Sequence, residues 1–233
     1  MPRPRPYEFG DIVETNCGNC FVKDYQDSRN ITVVFIETLT EIITDSHTLK
    51  KGLVSDRMYP KVLNIGNIGY GPYSDKEHKE AYSCWRNMLQ RCYDESCKSY
   101  PNYGGSGVTV SKDWHDFQNF AEWYYKNKVA DSHLDKDLFG GKLYSEQTCV
   151  FLPCEINNLL IQSRKPVKKN KTGTFSCRIY HDGEVQNKTF ETEEEALYWY
   201  KINKKHFLMK VSNDMLQQGK ISSEVYTKIL ENT

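Results

Sequence analysis

The segment His133-Leu134-Asp135-Lys136-Asp137 places an imidazole and two carboxylates within five residues. Read as an extended strand, its alternation sets His133, Asp135 and Asp137 on one face and Lys136 on the other. Two carboxylates beside an imidazole suit a hard divalent cation such as Mg2+, which favours oxygen ligands. The same residues also read as a solvated strand edge kept soluble by its charges. Gly140-Gly141 supplies a turn, Cys149-Val150-Phe151-Leu152 a second strand, and Pro153 opens a helix running to Gln162. The order is strand, loop, strand, helix.

Two other constellations are explained without chemistry. Cys17-Gly-Asn-Cys20 has zinc-ligand spacing, but no second pair follows at a usable distance, and one pair falls short of four ligands. The eight cysteines read as reduced thiols packed as small hydrophobes. Gly104-Gly-Ser-Gly107 lacks the Lys-Ser/Thr of a phosphate-binding loop and reads as a tight turn.

Cations offer a second chemistry. The formal net charge is zero, yet residues 1–163 carry 18 Lys/Arg against 22 Asp/Glu, and residues 164–233 carry 13 against 9. The phosphate-facing surface is therefore expected in the C-terminal third. There Lys168, Lys169 and Lys171 lead into an alternating strand, Thr174 to Tyr180. Asp182-Gly183 predicts a hairpin turn and Glu184 to Phe190 the return strand, which carries Lys188. Thr192 caps a helix starting at about residue 193. One hairpin face presents Thr174, Ser176, Arg178 and Tyr180, and the other presents Phe175, Cys177 and Ile179 to the helix. Such a sheet fits a major groove, where Arg reads guanine through two hydrogen bonds and lysines hold phosphates. The bland reading is an ordinary polar outer face.

The elements that must position these residues point to an α+β chain. Strands are expected at 21–25, 31–36 and 41–44, forming a small antiparallel N-terminal unit. Gly66 to Tyr73, with three glycines and a proline, reads as a linker. Ser74 and Glu77 form a capping box for a helix whose buried stripe is Tyr82, Trp85, Met88, Leu89 and Cys92. Trp114, Phe117, Phe120, Ala121 and Tyr124 give a second helix, and Ser223 to Leu230 a last one. With 16 Tyr and 10 Phe, small aromatic-rich cores are expected in three divisions, 1–70, 71–163 and 164–233. No apolar run is long enough to span a bilayer, and the N-terminus lacks a secretory apolar stretch, so a soluble intracellular protein is expected.

Taken in order, several groups form a recognisable pattern. They are Tyr82…Trp85…Met88-Leu89…Arg91-Cys92-Tyr93, Tyr103-Gly-Gly-Ser-Gly-Val108, Trp114-His-Asp-Phe117 with Phe120, Leu134-Asp-Lys-Asp137, Tyr144-Ser145, Cys149-Val-Phe151 and Asn157-Asn158. This order resembles the phage HNH-type homing endonuclease family. The pattern from Thr172 to Tyr200 is similar to the AP2-like DNA-binding domain that such proteins often carry C-terminally. The resemblance implies a ββα-metal core with flanking helices, then a three-stranded sheet plus helix. It implies cutting or nicking of double-stranded DNA with Mg2+ or another divalent metal, in the cytoplasm of a bacterial host and away from membranes. Asp135 and Asp137 would be metal ligands, and Asn157 the helix residue serving catalysis and the metal. Lys136 stands where the general-base His is expected, and an ammonium cannot accept a proton from water. His133, two residues away, is the substitute. The departure opens an alternative, a catalytically inactive derivative acting as a sequence-specific repressor or targeting factor. A third reading is a host-interaction protein using the acidic N-terminal two-thirds. A monomer on an asymmetric site and a dimer on a palindrome fit these residues equally.

Overall fold

The computed structural model describes residues 5–161, 165–181 and 184–232. In chain order the strands and helices are β1 (Ile12–Thr15), β2 (Gly18–Asp27), β3 (Asn30–Phe35), β4 (Glu41–Thr44), α1 (Ser46–Lys50), α2 (Lys79–Tyr93), β5 (Thr109–Val110), α3 (Phe117–Asn127), β6 (Ser132–Asp135), β7 (Leu143–Tyr144), β8 (Val150–Pro153), α4 (Cys154–Leu160), β9 (Val167–Lys169), β10 (Phe175–His181), β11 (Glu184–Phe190), α5 (Glu193–Gln217) and α6 (Ser223–Glu231). Helices and several small sheets coexist, as the α+β reading requires. The expected Asp182-Gly183 turn and the lead-in residues Ser163 and Arg164 lie outside the described residues.

The chain divides into two compact units, 1–126 with 142–145, and 127–141 with 146–233. The sequence suggested boundaries near 70 and 163 instead.

In the first unit β1 to β4 form an antiparallel meander in sequence order. Alternation buries Cys20 and Val22 of β2 with Ile31, Val33 and Phe35 of β3, and Leu49 and Val54 close this small core. Cys17 and Cys20 sit inside it as free thiols. Strand β1 went unread in the sequence because its inward positions, Val13 and Thr15, are only half-buried.

Around α2 the core is aromatic. Ala81, Trp85, Met88, Leu89 and Cys92 are buried, one face at helical spacing. Trp85 lies 5.4 Å from Phe117, and its indole N–H donates to the Trp114 carbonyl at 2.7 Å. That bond removes the cost of burying the indole. The helix starts at Lys79, later than the Ser74-Glu77 box suggested. Ser74 Oγ does accept the Glu77 N–H at 3.2 Å, but the Ser74 N–H donates to the His78 ring, closing a separate turn before the helix.

Residues 66–73 do not form a free linker. Gln118 Nε2 donates to the carbonyls of Ile68 (2.7 Å) and Tyr73 (2.9 Å), and its Oε1 accepts the Tyr73 N–H at 3.0 Å. Asn67 Nδ2 donates to Asp116 Oδ2 at 3.0 Å. A Cβ on Gly66 would lie 2.6 Å from the Trp85 ring, so the glycine lets the backbone touch α2. Gly104 does the same for its turn, since a Cβ there would lie 2.0 Å from the Cys92 carbonyl oxygen.

In the second unit β6 pairs antiparallel with β8, and α4 follows β8 directly. Strands β11, β10 and β9 form a three-stranded antiparallel sheet in that order. Thr192 caps α5 through a complete box with Glu195, as its Thr-x-x-Glu spacing predicts. At 25 residues α5 runs well past Lys210. One core joins Leu152, Ile156 and Leu159 of β8 and α4 to Ile179 of β10, Phe207, Leu208 and Val211 of α5, and Val225 and Ile229 of α6.

Candidate nucleic-acid interface and ββα unit

Pairing register decides which residues share the exposed face of the three-stranded sheet. Ser176 lies opposite Lys168 on one side and Thr189 on the other, Arg178 opposite Asn187, and Tyr180 opposite Val185. Directly opposed residues point the same way, so Lys168, Ser176, Arg178, Asn187, Thr189 and Tyr180 form one face. Arg178 is exposed and Tyr180 is 59% exposed. The reverse face carries Cys177 and Ile179, both buried in the core against α5. The two-faced hairpin read from the sequence is therefore present.

Lys169 and Lys188 do not belong to the Arg178 face. Lys169 pairs with Phe175 and Lys188 with Cys177, which assigns both to the helix side. Lys188 Nζ lies 5.7 Å from the centres of the Phe190 and Trp199 rings, and Lys169 Nζ 5.6 Å from that of Phe175. Such cation–ring contacts hold a lysine at the sheet edge rather than over a groove. The sequence reading grouped Lys168 with Lys169 because it took their segment as a lead-in to the strand from Thr174. Once Val167–Lys169 is a strand, consecutive lysines must diverge.

Lys171 is exposed in the turn that joins β9 to β10. Thr174 is half-buried and its hydroxyl accepts from Asn170 Nδ2 at 3.0 Å. Ser176 Oγ donates to Asn170 Oδ1, also at 3.0 Å. These hydroxyls brace the turn, which leaves Arg178, Asn187 and Tyr180 as the outward readers. Asn187 was missed in the sequence because only the strand register sets it beside Arg178.

In the ββα unit the acids and the imidazole part company. Strand β6 ends at Asp135, so Asp137 is not on a strand face with His133 as the alternation suggested. Asp135 Oδ1 accepts the N–H groups of Asp137 (2.9 Å) and Leu138 (2.8 Å), and this side-chain turn ends the strand. Burial of Asp135 pushes its carboxyl above the usual carboxylate range. Lys136 is buried at 7% exposure, with its ammonium paired to the exposed Asp137 carboxylate. That pairing commits the Lys136 side chain to Asp137.

His133 is exposed and spans to the start of α4. Its Nδ1 lies 3.5 Å from Asn157 Nδ2 and its Nε2 3.4 Å from Cys154 Sγ. Cys154 and Asn157 are three residues apart and so share a helix face. Of the expected site residues, His133 and Asn157 are brought together. Cys154 joins them unforeseen, although its spacing before Asn157 could have flagged it. As arranged, Asp135, Asp137 and Asn157 each have a partner of their own. One acid is held by the turn, the other by Lys136, and Asn157 faces the imidazole. Among the described residues no three His, Cys, Asp or Glu side chains converge on one point, and no helix is long and apolar enough to cross a membrane.

No family model, curated protein or solved structure matches the chain.

Proposed function

We propose that the chain binds double-stranded DNA through the outer face of its three-stranded sheet. The observation that carries this reading is an exposed Arg178, flanked by Lys168, Asn187 and Tyr180, on a sheet whose other face is fixed in a core. The β10–β11 ribbon of this sheet suits a major groove, where a guanidinium spans guanine O6 and N7 and an Asn amide matches adenine. Lys168 and Lys171 then hold phosphates. The resemblance to HNH-type homing endonucleases with an AP2-like domain favours the same partner, met in the cytoplasm of a host cell.

Selection of a preferred site from a random duplex pool, followed by titration of Arg178→Ala and Arg178→Lys, tests it. Each variant should lose about 1–3 kcal/mol of discrimination between the selected site and one altered base pair. Arg178→Lys keeps its charge but not its fork, so its affinity for arbitrary duplex should stay near that of the wild type. Unchanged discrimination in both variants would remove Arg178, and with it the face, from the reading.

The approach of His133 and Asn157 in a strand–strand–helix unit favours a second reading, DNA nicking. Supercoiled plasmid incubated with Mg2+ or Mn2+ separates the two. Nicking lost in His133→Ala supports the nuclease, while binding without nicking leaves a site-specific binder.

A further inference from the structure

Two clefts lie side by side in the second unit. One, of about 470 Å3, opens at the edge of β10 and is lined by Lys165, Pro166, Lys168, Arg178 and Tyr200, among others. The second, of about 480 Å3, runs along α5 and is lined by Pro166, Tyr200, Lys201, Lys204 and Lys205 over a floor of leucines. Sharing Pro166 and Tyr200 as walls, the clefts join into one trough. Six cations line it, and no carboxylate does among the described residues. The helical part follows from spacing, because positions 201, 204 and 205 fall on one face of α5. Lys204 donates to the Ile161 carbonyl at the end of α4, at 2.6 Å, and is held there. Lys201 and Lys205 remain exposed on the rim.

We propose that this trough seats the phosphodiester backbone of one DNA strand, which passes from the sheet edge over Tyr200 and along α5. The proposal rests on the DNA-binding reading and extends it from the sheet face to a helix whose cations that reading leaves unused. A cleft of one charge sign over an apolar floor focuses its field, which suits a polyanion. Tyr200 is the only aromatic ring among the described lining residues, so no row of stacking platforms invites unpaired bases. The occupant is therefore duplex DNA held by its phosphates, not a single strand held by its bases.

The test measures affinity of the full chain for a fluorescent duplex of arbitrary sequence, about two helical turns long, across a salt series. Lys201→Gln/Lys205→Gln, with wild-type melting, should make the slope of log K against log salt shallower by about 1.8. The loss should be equal for selected and arbitrary sequences. An unchanged slope in that variant, with a shallower one in Lys168→Gln, overturns the trough and leaves the sheet reading standing. Tighter binding of a single-stranded oligonucleotide than of the duplex, lost in the same variant, overturns the duplex assignment. Absence of duplex binding by the wild type at low salt overturns the sheet reading and the trough together.

Discussion

A cation's value for recognition depends on where its strand aims it. Arg178 and Lys168 share the open face of the sheet, whereas Lys169 and Lys188 lie over aromatic rings on the helix side. Lys136 is turned inward altogether and paired with Asp137. Burial also governs groups in the first unit. Tyr124, 4% exposed beside Phe120 and Tyr125, has its phenol pushed up to about 12, chiefly by burial and then by the nearby Cys84 and Glu80. In the unfolded chain the phenol ionises near its ordinary value of 10.0. Between those values the unfolded state gives up its proton first, so stability falls as pH rises. The slope owed to this one group is at most about 1.4 kcal/mol per pH unit. Tyr124→Phe should flatten urea unfolding free energy against pH in that window, and an equally steep dependence in the variant would show that other groups carry it.

Between elements, contact distance reverses the usual meaning of glycine. Residues 66–73 carry the composition of a linker, yet they form a strap laced to α3 through Gln118 and pressed against α2 at Gly66. Gly66→Ala would push a methyl into the fully buried Trp85 and Leu89. Overpacking of this kind costs about 1–3 kcal/mol. A lowered melting temperature in circular dichroism is the expected result, and an unchanged one would mean that the strap moves freely. The strap was illegible in the sequence because close approach is a property of two segments, and composition describes only one. Periodicity within a single element read well, as in the α2 stripe and the hairpin alternation. So did local capping at Thr192. The site was legible to the same degree. The Arg178 face follows from alternation, whereas Asn187, Cys154 and the trough along α5 depend on register and packing between elements.

At the scale of the whole molecule, the chain does not divide where its composition changes. The positive balance begins near residue 164, but the hydrophobic core of the second unit begins earlier. Leu138, Leu152, Ile156 and Leu159, all before that point, pack into the same cluster as Ile179, Phe207, Leu208 and Ile229. A fragment of residues 164–233 keeps the sheet, α5 and α6 but loses those four side chains. Each buried Leu or Ile contributes about 1.5–3 kcal/mol, so the loss is about 6–12 kcal/mol, comparable with the whole stability of a small domain. The fragment 164–233 should therefore lack a cooperative melt and bind duplex DNA poorly, whereas 127–233 should melt cooperatively and bind. The first unit makes the converse demand. Residues 142–145 return to it, where β7 pairs with β5 and Tyr144 is buried at 1% exposure. A fragment ending at 126 should be less stable than one ending at 145. Matching melting curves for 164–233 and 127–233 would show that the three-stranded sheet stands without the ββα unit. If instead they diverge, the unit of β6, β8 and α4 is first of all the floor on which the three-stranded sheet and α5 are built.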